Sequence, residues 1–114
     1  GCARRFKELD QAIQIVAVEP YLGHKIQGLK SLKEAYVPGI FDKRLVDEKV
    51  NVADEDAFET ARKVAKAEGL LIGMSAGAAV FAAMDLARRI DAGVIVLILP
   101  DSGERYLSTE LFTA

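Results

Sequence analysis

Cysteine is nearly absent from this chain. Cys2 is the only one and His24 the only histidine, so no internal disulfide can form and no cysteine–histidine set can hold a structural metal. No apolar run reaches the roughly 18 residues that a membrane span needs. No charged segment followed by an apolar core and a small-residue cleavage site opens the chain, so a secretory signal is not read here. A basic block is missing too. The 15 Lys and Arg stand against 17 Asp and Glu, a formal net charge of -2, and nothing calls for nucleic acid or an anionic membrane surface. These absences predict a cytoplasmic location. An initiating methionine is also missing: Gly1-Cys2-Ala3-Arg4-Arg5-Phe6 begins inside what reads as a helix. That start is the one expected of a piece of a longer polypeptide. The 114 residues themselves, 51% hydrophobic and 28% charged, make a single globular domain over 1–114.

The most informative stretch is Leu70-Leu71-Ile72-Gly73-Met74-Ser75-Ala76-Gly77-Ala78-Ala79. A short apolar run breaks at glycine, passes a serine and a second glycine, and enters an alanine-rich segment. That order describes a strand, a tight turn and a helix, with glycines allowing close backbone approach and the helix start offering free N–H groups. Ser75 could cap the helix, attack a substrate or contact a ligand. Gly73 to Gly77 matches G-x-S-x-G in the right setting for a nucleophile. That motif, however, needs an acid and then a histidine downstream, and His24 lies upstream. The hydrolase reading is therefore excluded for this chain alone, and the cap and the ligand contact remain open.

Around this centre the chain alternates. Ala3 to Ala12 carries Phe6 and Leu9, with Ile13 beyond, at helical spacings. Ile15-Val16-Ala17-Val18, closed by Glu19-Pro20, reads as a strand buried on both faces, and residues 14–18 are expected as strand. Residues 21–42 hold Gly23, Gly28, Pro38 and Gly39 without a sustained period, so loops with at most one short helix are expected. His24, Lys30 and Lys33 in this region have the default reading of solvated polar side chains. A short strand is expected over 49–52, from the alternation of Val46, Val50 and Val52 with polar residues. Asp54 then reads as the cap of a helix over 54–68 that stops at Gly69. Further strands are expected over 70–74 and 94–99, separated by a largely apolar helix over 76–90. The predicted class is α/β: a mostly parallel sheet with helices on both faces, a three-layer α/β/α arrangement. Ser75 and the Pro100–Gly103 turn should then lie on one edge of it.

Six stretches carry a resemblance: IVAVEP at 15–20, HKIQG at 24–28, YVPGIF at 36–41, LVDE at 45–48, EGLLIGMSAGAA at 68–79 and LPDSGERYLST at 99–109. In this order they resemble the carboxyl-terminal portion of a cysteine synthase, a fold type II pyridoxal-phosphate enzyme of the β-replacement family. The resemblance runs from about Ile13 to Phe112, and YVPGIF resembles the B-type enzymes, which take bulkier or anionic sulfur donors or phosphoserine. It implies pyridoxal phosphate as cofactor, with Ser75 bonding its pyridine nitrogen. The implied reaction replaces the leaving group of O-acetylserine or O-phosphoserine with sulfide or another donor, through an aminoacrylate. Gly28 is implied to line the substrate mouth, and Lys30 falls where B-type relatives carry a basic residue near an anionic substrate.

The same resemblance marks departures. The Schiff-base lysine segment, the loop for the substrate carboxylate and the phosphate cradle have no counterpart in these residues, and no lysine here sits in the matching motif. No residue is therefore assigned a catalytic role. The chain alone is expected neither to hold pyridoxal phosphate stably nor to be active. Its expected partners are the amino-terminal portion of the same enzyme, the small-molecule amino-acid substrate and sulfur donor, and a second copy in a homo-oligomer. A non-catalytic α/β binding or interaction module, or a cysteine-synthase segment of a fused protein, is the alternative.

Overall fold

A computed structural model describes residues 1–33 and 36–113. Its first element, α1 (Cys2–Leu9), has no buried residue. It is fastened by charge instead: Lys7 Nζ lies 2.8 Å from an Asp47 carboxylate oxygen, which also accepts from the Ile15 amide at 2.7 Å. The helix stops before the expected Ala12 because Asp10 turns extended and its carboxylate accepts from the Ala12 amide at 2.9 Å. An Asx turn thus replaces the next helical turn.

Strand β1 (Val16–Pro20) pairs with β2 (Glu48–Val52) in parallel, with Val18 opposite Val50 and Pro20 opposite Val52. The connection between them contains no helix or strand of more than one turn among the described residues, apart from a 3-10 turn at Lys43–Leu45. The short helix that the sequence allows within 21–42 does not form over residues 21–33 or 36–42, and residues 34 and 35 lie outside the described ones. Leaving β2, the chain enters α2 (Asp54–Glu68), whose first turn carries Asp54, Glu55 and Asp56, the charge its positive end favours. Gly69 closes it in the left-handed conformation, φ 69°, as the sequence predicts. Asp54 is not the cap: Ala53 occupies that position, and the Asp54 carboxylate accepts from the Lys25 amide at 2.9 Å. It is spent on tying down the loop before Gly28.

Helix α3 (Met74–Arg89) lies against α2. An added Cβ at Gly77 would run into the Ala57 carbonyl and sit 3.0 Å from Ala61 Cβ, so the two backbones meet at this glycine. The core forms from Val52, Ala57, Phe58 and Ala61 with Ile72, Met74, Ala76, Ala78 and Ala82, and Ile26, Tyr106 and Leu111 close it. A short α4 (Glu110–Thr113) is held by Arg62, which donates to the Glu110 and Leu111 carbonyls at 2.7 and 2.6 Å. Among the described residues no helix is long and apolar enough to cross a membrane.

The class is α/β and the paired strands are parallel. Two expected strands differ. Residues 70–74 make a single antiparallel bridge, Ile72 with Ser102, and 94–99 form no strand among the described residues. Both runs have a strand's composition, but a strand exists only where another backbone offers a ladder of partners. Among the described residues the only paired ladder is β1 with β2.

Candidate functional site

The turn from Ile72 to Gly77 brings the sequence-predicted residues together. Gly73 is the N-cap of α3, with extended backbone, and no side chain caps the helix. Ser75 therefore sits inside the first turn, and the capping role left open by the sequence falls away. The first intrahelical bond runs from the Gly77 amide to the Gly73 carbonyl at 3.0 Å. The amides of Met74, Ser75 and Ala76 precede it, at the positive end of a helix of 16 residues. Ser75 is only 6% exposed, yet its hydroxyl makes no hydrogen bond among the described residues.

Gly28 lies directly over that serine. Its φ is +94°, a conformation that side chains rarely adopt, and an added Cβ would stand 3.6 Å from Ser75 Oγ. Glycine thus serves the backbone turn and leaves the space beside the hydroxyl unfilled by any side chain of its own. The loop leading to it is tied down at several points. The Ile26 amide donates to His24 Nδ1 at 3.2 Å, and the Ile26 side chain is almost wholly buried. Lys25 Nζ reaches Glu110 at 3.1 Å, and that contact raises the pKa of the Lys25 ammonium. Lys30 follows two residues after Gly28 and is exposed. The structure thus unites Gly28 and Ser75 and leaves Lys30 at the rim of the same loop.

Behind Ser75, residues 71–73 run antiparallel to 101–103. The Gly73 amide donates to the Asp101 carbonyl at 3.3 Å and the Gly103 amide to the Leu71 carbonyl at 2.9 Å. The Ser75 turn and the Pro100–Gly103 turn, expected on one edge of a parallel sheet, are instead joined by antiparallel pairing, because among the described residues neither 70–74 nor 94–99 is a strand of the β1–β2 sheet. The Tyr106 hydroxyl donates to Asp101 Oδ2, which raises the pKa of the phenol, with burial adding to the effect. Asp101 Oδ1 is buried and has no hydrogen-bond partner among the described residues. From sequence these two residues were only part of a polar turn. Their spacing of five carries no signal without the 3-10 turn at Gly103–Tyr106 that folds one back onto the other.

The arrangement offers one neutral hydroxyl at a helix start, open toward a side-chain-free glycine. Such a group suits hydrogen bonding to a heteroaromatic nitrogen and offers no base to activate a nucleophile. Known proteins place the chain in a family. The chain is 42% identical to the cysteine synthase of Aquifex aeolicus over 118 residues, covering 99% of this chain and 36% of that protein. It is 38% identical to cysteine synthase B of Salmonella typhimurium, covering 98% and 37% of the two. Among solved structures, the Entamoeba histolytica cysteine synthase superposes with a TM-score of 0.89 at 37% identity, over 98% of this chain and 36% of that one. The O-acetylserine dependent cystathionine β-synthase of Helicobacter pylori superposes with a TM-score of 0.85 at 38% identity, over 96% and 38%. The chain thus spans little more than a third of the length of these relatives. Residues 1–101 match the family model of the pyridoxal-phosphate dependent enzymes, and the chain belongs to that family.

Proposed function

We propose that this chain is the carboxyl-terminal portion of a pyridoxal-phosphate dependent cysteine synthase, and that Ser75 is its contact to the cofactor's pyridine nitrogen. The observation that carries this reading is Ser75, a residue only 6% exposed whose hydroxyl has no hydrogen-bond partner among the described residues and faces Gly28. The cofactor, when bound, supplies the conjugated ring that stores electrons while a β-substituent of an amino acid is replaced. Ser75 offers that ring a neutral hydrogen bond. A carboxylate in its place would hold the nitrogen protonated and deepen the electron sink beyond what β-replacement needs. Gly28 keeps side-chain bulk away from the substrate mouth, and Lys30 at the rim offers a positive charge to an anionic substrate or sulfur donor. The relatives' names support O-acetylserine as the class of amino-acid substrate, with O-phosphoserine the anionic alternative that Lys30 would favour.

Ser75 alone does not retain the cofactor. One neutral hydrogen bond contributes about 0.5–1.5 kcal/mol net, whereas micromolar affinity takes about 8 kcal/mol. The remainder of the polypeptide supplies the anchoring lysine and the phosphate cradle, and it is the first partner of this chain. Borohydride reduction of the cofactor-loaded full polypeptide, followed by peptide mapping, should place the cofactor on a lysine outside residues 1–114. The isolated chain should show only scattered, substoichiometric labelling and no cysteine formation from O-acetylserine and sulfide. Stoichiometric labelling of one lysine within 1–114, or a full polypeptide that takes up no cofactor, overturns the reading.

A further inference from the structure

The Asp101 carboxylate is positioned against the turn that launches α3, and no part of the reading above uses it. One of its oxygens accepts from the Tyr106 hydroxyl; the other is buried without a partner among the described residues. Burying a carboxylate oxygen unpaired is costly, so its surroundings must compensate. The position of the carboxylate does so. It stands beside Gly73, at the positive end of α3, where a negative charge is favoured. And the same residue's carbonyl accepts from the Gly73 amide at 3.3 Å, so backbone and side chain of Asp101 grip one glycine. The fit leaves no slack: a Cβ at Gly73 would lie 2.8 Å from Tyr106 Cε2 and 2.9 Å from Asp101 Cγ. Gly73 precedes Ser75 by two residues, and its backbone sets the direction in which the first helical turn starts.

We propose that Asp101 and Tyr106 are positioning residues for Ser75: the carboxylate, held by the phenol and packed on Gly73, fixes the start of α3 and so aims the Ser75 hydroxyl at the cofactor nitrogen. This inference rests on the reading of Ser75 given above. Neither residue touches the cofactor. They act through the turn, so their effect must vanish when the serine hydroxyl is gone.

A double-mutant cycle in the full polypeptide tests this, with cofactor dissociation constant and visible absorption of the bound cofactor as readouts. Tyr106→Phe should weaken cofactor binding by about threefold to tenfold, the worth of one modest hydrogen bond, and shift the absorption in the same direction as Ser75→Ala. The Ser75→Ala/Tyr106→Phe double variant should bind no more weakly than Ser75→Ala alone. Asp101→Asn, which keeps an oxygen for the phenol, should lose less than Asp101→Ala. Should Tyr106→Phe fail to fold, Asp101→Asn paired with Ser75→Ala gives the same cycle. Additive losses, or unchanged binding in the single variants, overturn the positioning role. If Ser75→Ala itself leaves affinity and absorption unchanged, the Ser75 contact is wrong and the positioning role falls with it. The first result spares the reading of Ser75 and the second does not.

Discussion

Gly77 decides how closely α2 and α3 can approach. In an exposed helix, replacing glycine with alanine gains up to about 1 kcal/mol of helix propensity. Here the new methyl would meet the Ala57 carbonyl, a backbone atom of a neighbouring helix that cannot swing aside, and Ala61 Cβ at 3.0 Å. Overpacking of that kind costs about 1–3 kcal/mol, so the steric term wins. Gly77→Ala should lower the urea midpoint of the polypeptide, and an unchanged or raised midpoint would mean that the helices separate freely. Tyr106 supplies a second test at this scale. Its hydrogen bond to Asp101 raises its pKa above the ordinary 10.0, so the folded state favours the protonated phenol. The stability this contributes is fully present below pH 10.0 and is lost as pH rises through the folded value. Following phenolate absorbance during alkaline titration should show one tyrosine ionising late, and Tyr106→Phe should remove that late step.

Among the elements, α1 depends most on electrostatics, since it buries nothing. The Lys7 ion pair and the hydrogen bond from the Ile15 amide hold the Asp47 carboxyl below its ordinary 3.8, the lysine contributing more. A lowered carboxyl pKa stabilises above the unfolded value and is lost as pH falls through the folded one. The docking of α1 should therefore persist at neutral pH and fail on acidification below 3.8. Asp47→Asn should release the helix at neutral pH, seen in the backbone chemical shifts of residues 2–9 and 15. Unmoved shifts in that variant would show that apolar contacts suffice. The helices were the legible part of the sequence: a 3.6-residue period and Gly69 placed α2, and the alanine-rich run placed α3. Their first residues were less legible. Asp54 and Ser75 are both good capping types, but the Asp54 carboxylate accepts from the Lys25 amide and α3 starts from Gly73, two residues before Ser75. Gly28 and Ser75 could be named from motifs, whereas Asp101 and Tyr106 could not, because their partnership depends on a turn rather than on a pattern.

For the whole molecule, the apolar run at 94–99 is the decisive feature. Its composition is that of a strand, yet 94–99 forms none among the described residues, because composition does not say whether a neighbouring strand is present. Val94, Val96 and Ile98 are 89%, 81% and 74% exposed, while Leu97 and Leu99 between and beyond them are about half as exposed at 37% and 40%. One face of an extended segment is thus bare, and its backbone pairs with no strand among the described residues. The only ladder among the described residues is two-stranded, which is marginal on its own in water, and an unpaired apolar edge recruits further strands. A polypeptide of the relatives' length would have roughly another two-thirds of a chain with which to cover this face. The isolated 114-residue chain has only copies of itself. It should therefore self-associate in sedimentation velocity, with the mean mass rising with concentration and persisting in high salt, since apolar burial is not screened as ion pairs are. Val96→Lys with Ile98→Lys should shift the isolated chain toward monomer, because charge on an exposed edge blocks pairing. The same two substitutions in the full polypeptide should have the opposite consequence and prevent folding, because there the run becomes interior. An isolated chain that stays monomeric at high concentration, or a full polypeptide that tolerates both lysines, would show that the 94–99 face is an ordinary solvent surface.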